Sequence, residues 1–274
     1  SPATPPPTQL QSSVDAYAEF KRLFDAGEHA AAVEAGRKVV ALTEQEGSQG
    51  TETLQVALMN LGLAQQLAGD YPGAEQSYLR AIALIEAAGR ITSPRLARAQ
   101  AGLATAYHSA RRYDLAAPAL DRAVALSRRS EGLFNEDQLP LLAKQADSLT
   151  QLGQLEQALQ ARRYALRIVE RKHGQRSLRF AQELESLGRW YSVVAAYEAS
   201  RTTLLKSLKT IEELEGPGSI NLIGPLTALA DNAQRWVFDP VARAQATGEE
   251  ERRTRFHDSS AMPGLPGLSP STIA

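Results

Sequence analysis

Apolar residues along this chain recur every three or four positions, the spacing of one face of a helix. Ala74, Tyr78, Ala81, Ile82 and Ile85 lie along one side of a helix. Such runs are broken at Ala68-Gly69-Asp70-Tyr71, Arg111-Arg112-Tyr113, Gly153-Gln154-Leu155 and Ala195-Ala196-Tyr197. The bulky residues that close these breaks (Tyr71, Tyr113, Leu155, Tyr197) are spaced by 42, and the same ruler reaches back to His29 and on to Asp239. Three residues further on it meets Ala32, Ala74, Ala116, Ala158, Ser200 and Ala242. Nine residues before the first column it meets Phe20, Gly62, Ala104, Ala146, Gly188 and Ala230, and ten after it Val39, Ala81, Ala123, Ala165 and Ser207. Small residues in register let helix backbones cross closely, so each 42-residue copy predicts two helices packed as a hairpin.

Punctuation falls on the same ruler. Gly47 and Gly89 are one period apart, as are Gly132, Gly174 and Gly216, each just past a helical run. Glycine suits the left-handed position that follows a helix C-terminus. Pro72 and Pro240 open second helices, and Pro140 and Pro225 open first helices, where a missing N–H is harmless. In the second copy the first helix is predicted at about 54–68 and the second at about 72–88. A lone hairpin cannot bury both its faces, whereas stacked copies can. The expected fold is therefore all-α, a curved α-solenoid of about six antiparallel hairpins.

Leu61-Gly62, Gly69, Tyr71, Ala74, Tyr78 and Ala81 resemble the signature positions of the tetratricopeptide repeat. The common motif has about 34 residues. The period here resembles the longer variety of kinesin light chains and many bacterial repeat proteins. The resemblance covers about residues 13–256, in copies 13–54, 55–96, 97–138, 139–180, 181–222 and 223–256. Phe20 departs from it in the first copy, where a small residue is expected, and Asp239 and the charged run Glu249–Arg253 depart in the last, as terminal caps should. It implies a right-handed α-solenoid superhelix, a protein- or peptide-binding scaffold and no catalysis. Two further roles it allows are the repeat region of an exported bacterial envelope protein, such as a TonB-like transducer or assembly factor, and a self-associating structural module.

The first helices would line a concave groove. By resemblance its candidate partner-binding residues are Tyr17, Lys21, Met59, Asn60, Leu63, Arg98, Thr105, His108, Asp147, Arg189 and Asp231. The Lys/Asn/Lys/Arg clamp that some family members use on a terminal carboxylate is absent: its columns read Tyr17/Lys21, Met59/Leu63, Ala101/Thr105 and Ala143/Asp147. A groove of mixed polarity suits an extended peptide or a helix of a partner protein.

Charge adds a second candidate surface. The chain carries a formal −1, yet residues 95–179 carry +7. Arg162, Arg163, Arg167, Arg171, Lys172 and Arg176 form a basic stripe along the second helix of the fourth copy and the following loop, either a solvated outer face or a site for an acidic partner. Nucleic acid is disfavoured because the total charge is slightly negative and no stacking aromatic is expected among these arginines.

Known chemistries find no purchase. There is no cysteine, so disulfides and thiolate chemistry are excluded. His29, His108, His173 and His257 show no metal-ligand spacing; His29 is expected to pack at a turn, His108 to face the groove, and His173 and His257 to lie in a loop and a tail. No phosphate-binding loop, Gly-x-Ser-x-Gly elbow, signal peptide or membrane-length apolar run is visible, and no cofactor is expected. The chain is expected to be soluble, in a cytoplasm or periplasm. Residues 1–12 are expected to be a disordered Pro-rich segment and 257–274 a flexible Pro/Gly-rich tail.

Overall fold

Ala and Leu dominate the apolar positions and lose little side-chain freedom in a helix, and the helices they form are closed by caps that the local sequence supplies. Ser12 accepts from the Asp15 N–H while Asp15 reaches back to Ser12, a reciprocal cap on the first helix. Asp70 accepts from the Gly73 N–H and Ser93 from the Leu96 N–H, each opening a helix with proline in its first turn.

A computed structural model of the chain describes residues 12–47 and 51–241. The described elements are α1 (Ser13–Asp25), α2 (His29–Gln45), α3 (Thr51–Leu67), α4 (Tyr71–Ala87), α5 (Pro94–Ser109), α6 (Tyr113–Glu131), α7 (Leu139–Gln151), α8 (Leu155–His173), α9 (Leu178–Val193), α10 (Tyr197–Glu215) and α11 (Ile223–Phe238), with 3-10 turns at Glu136–Gln138 and Ile220–Leu222. No strand occurs among the described residues. The second helix of the sixth copy beyond Val241, most of the Pro-rich start and the tail all lie outside them.

The chain divides into two compact units, residues 1–183 and 184–274, with the boundary inside α9. In the first, α1–α2, α3–α4, α5–α6 and α7–α8 pack as hairpins, and α2 meets α3, α4 meets α5 and α6 meets α7. The odd-numbered helices also touch directly, α3 with α5 and α5 with α7. Between successive even-numbered helices lie clefts of about 450, 530 and 810 Å³. Odd helices packed close and even helices held apart make the odd side of this unit concave. In the second unit α10 packs on α11, and the Ser200 hydroxyl donates to the Gly188 carbonyl at 2.8 Å.

What spaces the stack beyond the first hairpin is a bulky side chain on an even helix lodged among small residues of odd helices. The Tyr78 ring is buried between α3 and α5: a Cβ at Gly62 would lie 3.0 Å from it, and one at Gly102 would overlap it. One period on, Leu120 is fully buried beside Ala104. In the second unit, Leu204 is fully buried against Gly188. The first hairpin inverts the arrangement. Phe20 stands in the small column and Gly36 in the bulky one, and a Cβ at Gly36 would meet the Phe20 ring at 3.3 Å and Leu61 at 3.1 Å. The departure at Phe20 is thus a volume exchange: the aromatic ring is supplied by the odd helix.

Within each hairpin the turn needs one left-handed residue. Gly27, Gly69 and Gly153 supply it at φ of 76°, 82° and 73°, but Arg111 and Ala195 hold the equivalent positions at 59° and 60°. A side chain there costs roughly 1–2 kcal/mol. Arg111→Gly and Ala195→Gly are therefore each expected to raise unfolding stability by up to ~1 kcal/mol, since glycine's extra unfolded-state entropy takes back part of the gain. Gly102→Ala is expected to lower stability by ~1–3 kcal/mol because the Tyr78 ring has no room to yield. Gly218→Ala, with nothing within 4 Å, is the neutral control. Urea denaturation checks all four.

Candidate protein-binding faces

The concave face of the first unit is built from every third or fourth residue of the odd helices. On α5 the buried side carries Leu96, Ala99, Leu103 and Ala106, which turns Arg98, Thr105 and His108 to the other side. The 42-residue ruler then aligns Lys21, Leu63, Thr105 and Asp147 in one column, and His108 beside Gln66 and Thr150 in another. Tyr17, Lys21, Leu63, Arg98 and Asp147 are exposed, while Met59, Asn60, Thr105 and His108 are half-buried. Tyr17 stacks on Phe20 at 6.0 Å between ring centroids. Thr105 donates to the carbonyl of Ala101 at 2.7 Å, so its hydroxyl proton is committed within its own helix.

His108 is a strut as well as a groove residue. Its Nδ1 lies 3.0 Å from the buried Ser148 hydroxyl of α7, and its ring meets Tyr113 edge-on at 5.8 Å. Burial holds the imidazole below its ordinary value, Asp147 pulls it back up, and Lys144 adds to the depression. Two other histidines, His29 and His173, sit at helix ends. His29 opens α2 edge-on to Phe24. His173 closes α8, with Nε2 2.9 Å from Glu136, rather than lying in a loop. His257 lies outside the described residues.

In the second unit, Arg189 donates to Glu185 at 2.8 Å and to the Gly224 carbonyl at 2.9 Å. That ties α9 to the start of α11 and leaves the guanidinium occupied. Asp231 is exposed on α11.

The basic stripe is redistributed. Arg163, Arg167, Arg171, Lys172 and Arg176 are exposed, but Arg162 is not part of that surface. It stands one period after Leu120, in the column that plugs the stack, and its side chain is only 13% exposed. Its guanidinium lies 4.0 Å from Asp147 on α7. Burial lowers the Arg162 pKa while Asp147 and Glu183 support the charge, and burial raises the Glu183 carboxyl against the pull of Arg162 and Arg179. A charge among the plugging residues thus reaches acidic residues of neighbouring odd helices. The arginine run hid this, because counting charges gives no facing; the columns Tyr78, Leu120, Arg162 and Leu204 reveal it.

The expectation of no interleaved aromatic is corrected too. Tyr164 sits within the run, with the guanidinium of Arg128 5.0 Å and that of Arg167 5.5 Å from its ring centre, and Arg171 lies 5.4 Å over Phe134. The Tyr164 hydroxyl donates to the Leu133 carbonyl, which pins the ring over the loop between α6 and α7. These rings flank the 810 Å³ cleft between α6 and α8, a feature that hydrophobic periodicity could not expose because it lies between repeats. Among the described residues no group of three or more metal-ligating side chains could hold a metal, and no helix is long and apolar enough to cross a membrane.

The family model of the tetratricopeptide repeat matches residues 52–129. No curated protein matches the chain in sequence. Among solved structures, a kinesin light chain from Podosopora anserina with nearly identical TPR-like repeats aligns at 17% identity, covering 74% of this chain and 96% of that one, with a TM-score of 0.65. BtubC (BKLC) from P. vanneervenii aligns at 19% identity over 93% of this chain and 98% of its own, with a TM-score of 0.52. A Rap protein complexed with Competence and Sporulation Factor aligns at 14% identity over 92% and 72%, with a TM-score of 0.53. At these identities the likeness is one of fold.

His108 favours its neutral form when folded. Between its lowered folded value and the unfolded value of about 6.5 the unfolded chain binds more protons, so stability is expected to rise with pH through that window. His108→Gln should flatten that part of the melting-temperature profile; an unchanged slope would mean the buried imidazole is not its source. Arg162→Ala is expected to destabilise by ~1–3 kcal/mol, since it leaves Glu183 partly buried without its neighbour, whereas exposed Arg163→Ala should stay within ~0.5 kcal/mol.

Proposed function

We propose that the chain, whose residues 52–129 match the tetratricopeptide repeat and whose fold is similar to that of kinesin-light-chain repeats, is a non-catalytic scaffold that holds a segment of a partner protein against the concave side of its odd helices. The observation that carries this is the facing of α3, α5 and α7. Their inner columns mix apolar and polar side chains, exposed Leu63 beside half-buried Asn60, and exposed Arg98 on the helix that carries half-buried Thr105 and His108, with exposed Asp147 at the far end. An uninterrupted apolar inner face would be expected to bury itself against another domain, and a uniformly charged one to stay solvated. Alternating character instead suits an extended peptide or a helix whose side chains differ from one position to the next.

Local geometry ranks the candidates. Arg98 and Lys21 are exposed, and neither lies in an ion pair shorter than 4.0 Å among the described residues. Asn60 and Leu63 offer an amide and an apolar contact one turn apart. His108 contributes through Nε2, since Nδ1 is engaged with Ser148. Arg189 is better suited to holding α11 than to gripping a guest. A Rap protein of similar fold was solved with Competence and Sporulation Factor bound, which supports a binding role without supplying a ligand for this chain.

Quantitative affinity capture from the native proteome provides the test, using tagged wild type, the groove variant Leu63→Asp/Arg98→Glu and the outer-surface variant Arg163→Glu. The groove variant is expected to lose its specific partner by at least about tenfold, equivalent to ~1.4 kcal/mol, with circular dichroism unchanged and Arg163→Glu neutral. Equal capture by all three would sink the assignment.

A further inference from the structure

The clefts between successive even helices are bridged in the first copies and open in the fourth. Between α2 and α4 Arg80 pairs with Glu44, and between α4 and α6 Arg122 pairs with Glu86 at 2.6 Å. The α4 carboxylate Glu75 makes a second bridge, accepting from the Tyr107 hydroxyl at 2.8 Å and from Arg112 at 3.1 Å. Moving each position by 42 shows what replaces these bridges at the next step. Glu86 becomes Arg128 and Arg122 becomes Tyr164, so an ion pair turns into a guanidinium over a ring at 5.0 Å. Glu75 becomes Ala117, Arg112 becomes Gln154 and Tyr107 becomes Leu149, so the second bridge is gone. All five substituted residues line the cleft between α6 and α8, which at about 810 Å³ is larger than the 450 and 530 Å³ of the two bridged clefts.

These replacements alter charge as well as space. A neutral pair is exchanged for a lone cation, and Arg167 adds another at the lining. Among the described residues, Arg128, Arg163, Arg167 and Arg171 have no carboxylate within 4.0 Å, whereas Arg80, Arg112, Arg122 and Arg179 do. The one carboxylate in the lining, Asp121, accepts from Gln145 at 3.3 Å. The floor is apolar, with Val124, Leu142, Leu149 and Ala161.

We propose that this cleft is a second docking site, separate from the concave face, for an acidic protein segment whose bulky apolar side chain enters between α6 and α8 while its carboxylates meet Arg128 and Arg167. Arginine presents a planar fork of donors that matches a carboxylate. A nucleic acid would match the cations but leave the apolar floor unused, so a protein segment is the better complement. The stacks on Tyr164 hold two of the guanidiniums at the lip in advance, which reduces the ordering that binding requires.

The test restores the missing bridge. Arg128→Glu/Tyr164→Arg recreates at this step the pair formed by Glu86 and Arg122. A display library of random twelve-residue peptides is selected on the full chain and counter-screened on this variant. The expected result is enrichment of Asp and Glu around a Phe, Leu or Trp. Synthetic versions of the enriched peptides should bind the bridged variant at least tenfold more weakly, while its melting temperature is not lowered and Leu63→Asp/Arg98→Glu binds them as wild type does. Failure to enrich, enrichment without acidic bias, or equal binding to the bridged variant would overturn the proposal. So would a fluorescent dT20 oligonucleotide that binds wild type more tightly than every enriched peptide. Because the groove variant is silent here, this outcome and that of the concave face are separable.

Discussion

Hairpin packing among the described residues depends on a matched exchange of volume between a bulky side chain on one helix and small residues on the helices it meets. Tyr78 fits only because Gly62 and Gly102 have no Cβ in its way. Helix interiors do not favour glycine, which costs about 1 kcal/mol relative to alanine, so two glycines facing one ring show packing overriding propensity. The first hairpin confirms that volume, and not residue identity, is the constraint: Phe20 and Gly36 trade sizes and the space between the helices is still filled.

That constraint also sorts polar residues between faces. An arginine in the plugging column cannot remain on the outer surface, so Arg162 passes inward to Asp147, and both it and Glu183 carry the mark of burial in their proton affinities. His108 is similarly drawn into the stack through Ser148. The concave face is thereby partly stiffened by the residues that would touch a guest, which favours binding with little rearrangement.

Repetition turns departures into information. Where Glu44 and Glu86 each receive an arginine from the next even helix, Arg128 and Tyr164 replace the pair, and where Glu75 gathers Tyr107 and Arg112, three residues without charge stand instead. Neither change is needed to keep the helices stacked, because the plug at Leu120 is intact. A repeat that keeps its packing while giving up two polar bridges has a surface free to serve something other than stability.

The sequence by itself determined the period, the helical class, the approximate helix limits and the glycines that end helices, because these follow from spacing, small-residue columns, proline and glycine within a single copy, whereas the left-handed turns at Arg111 and Ala195 carry no such mark. The helix predicted at about 54–68 spans 51–67 and the one at about 72–88 spans 71–87. The candidate residues of the concave face were also legible as columns, though not the engagement of His108 with Ser148 or of Arg189 with Gly224. Only the tertiary structure decided which way each arginine faced and which clefts stayed open. Those outcomes depend on residues about 36 positions apart meeting across two hairpins, and on volumes supplied from either side of a helix crossing, and neither is written in the hydrophobic pattern of one helix.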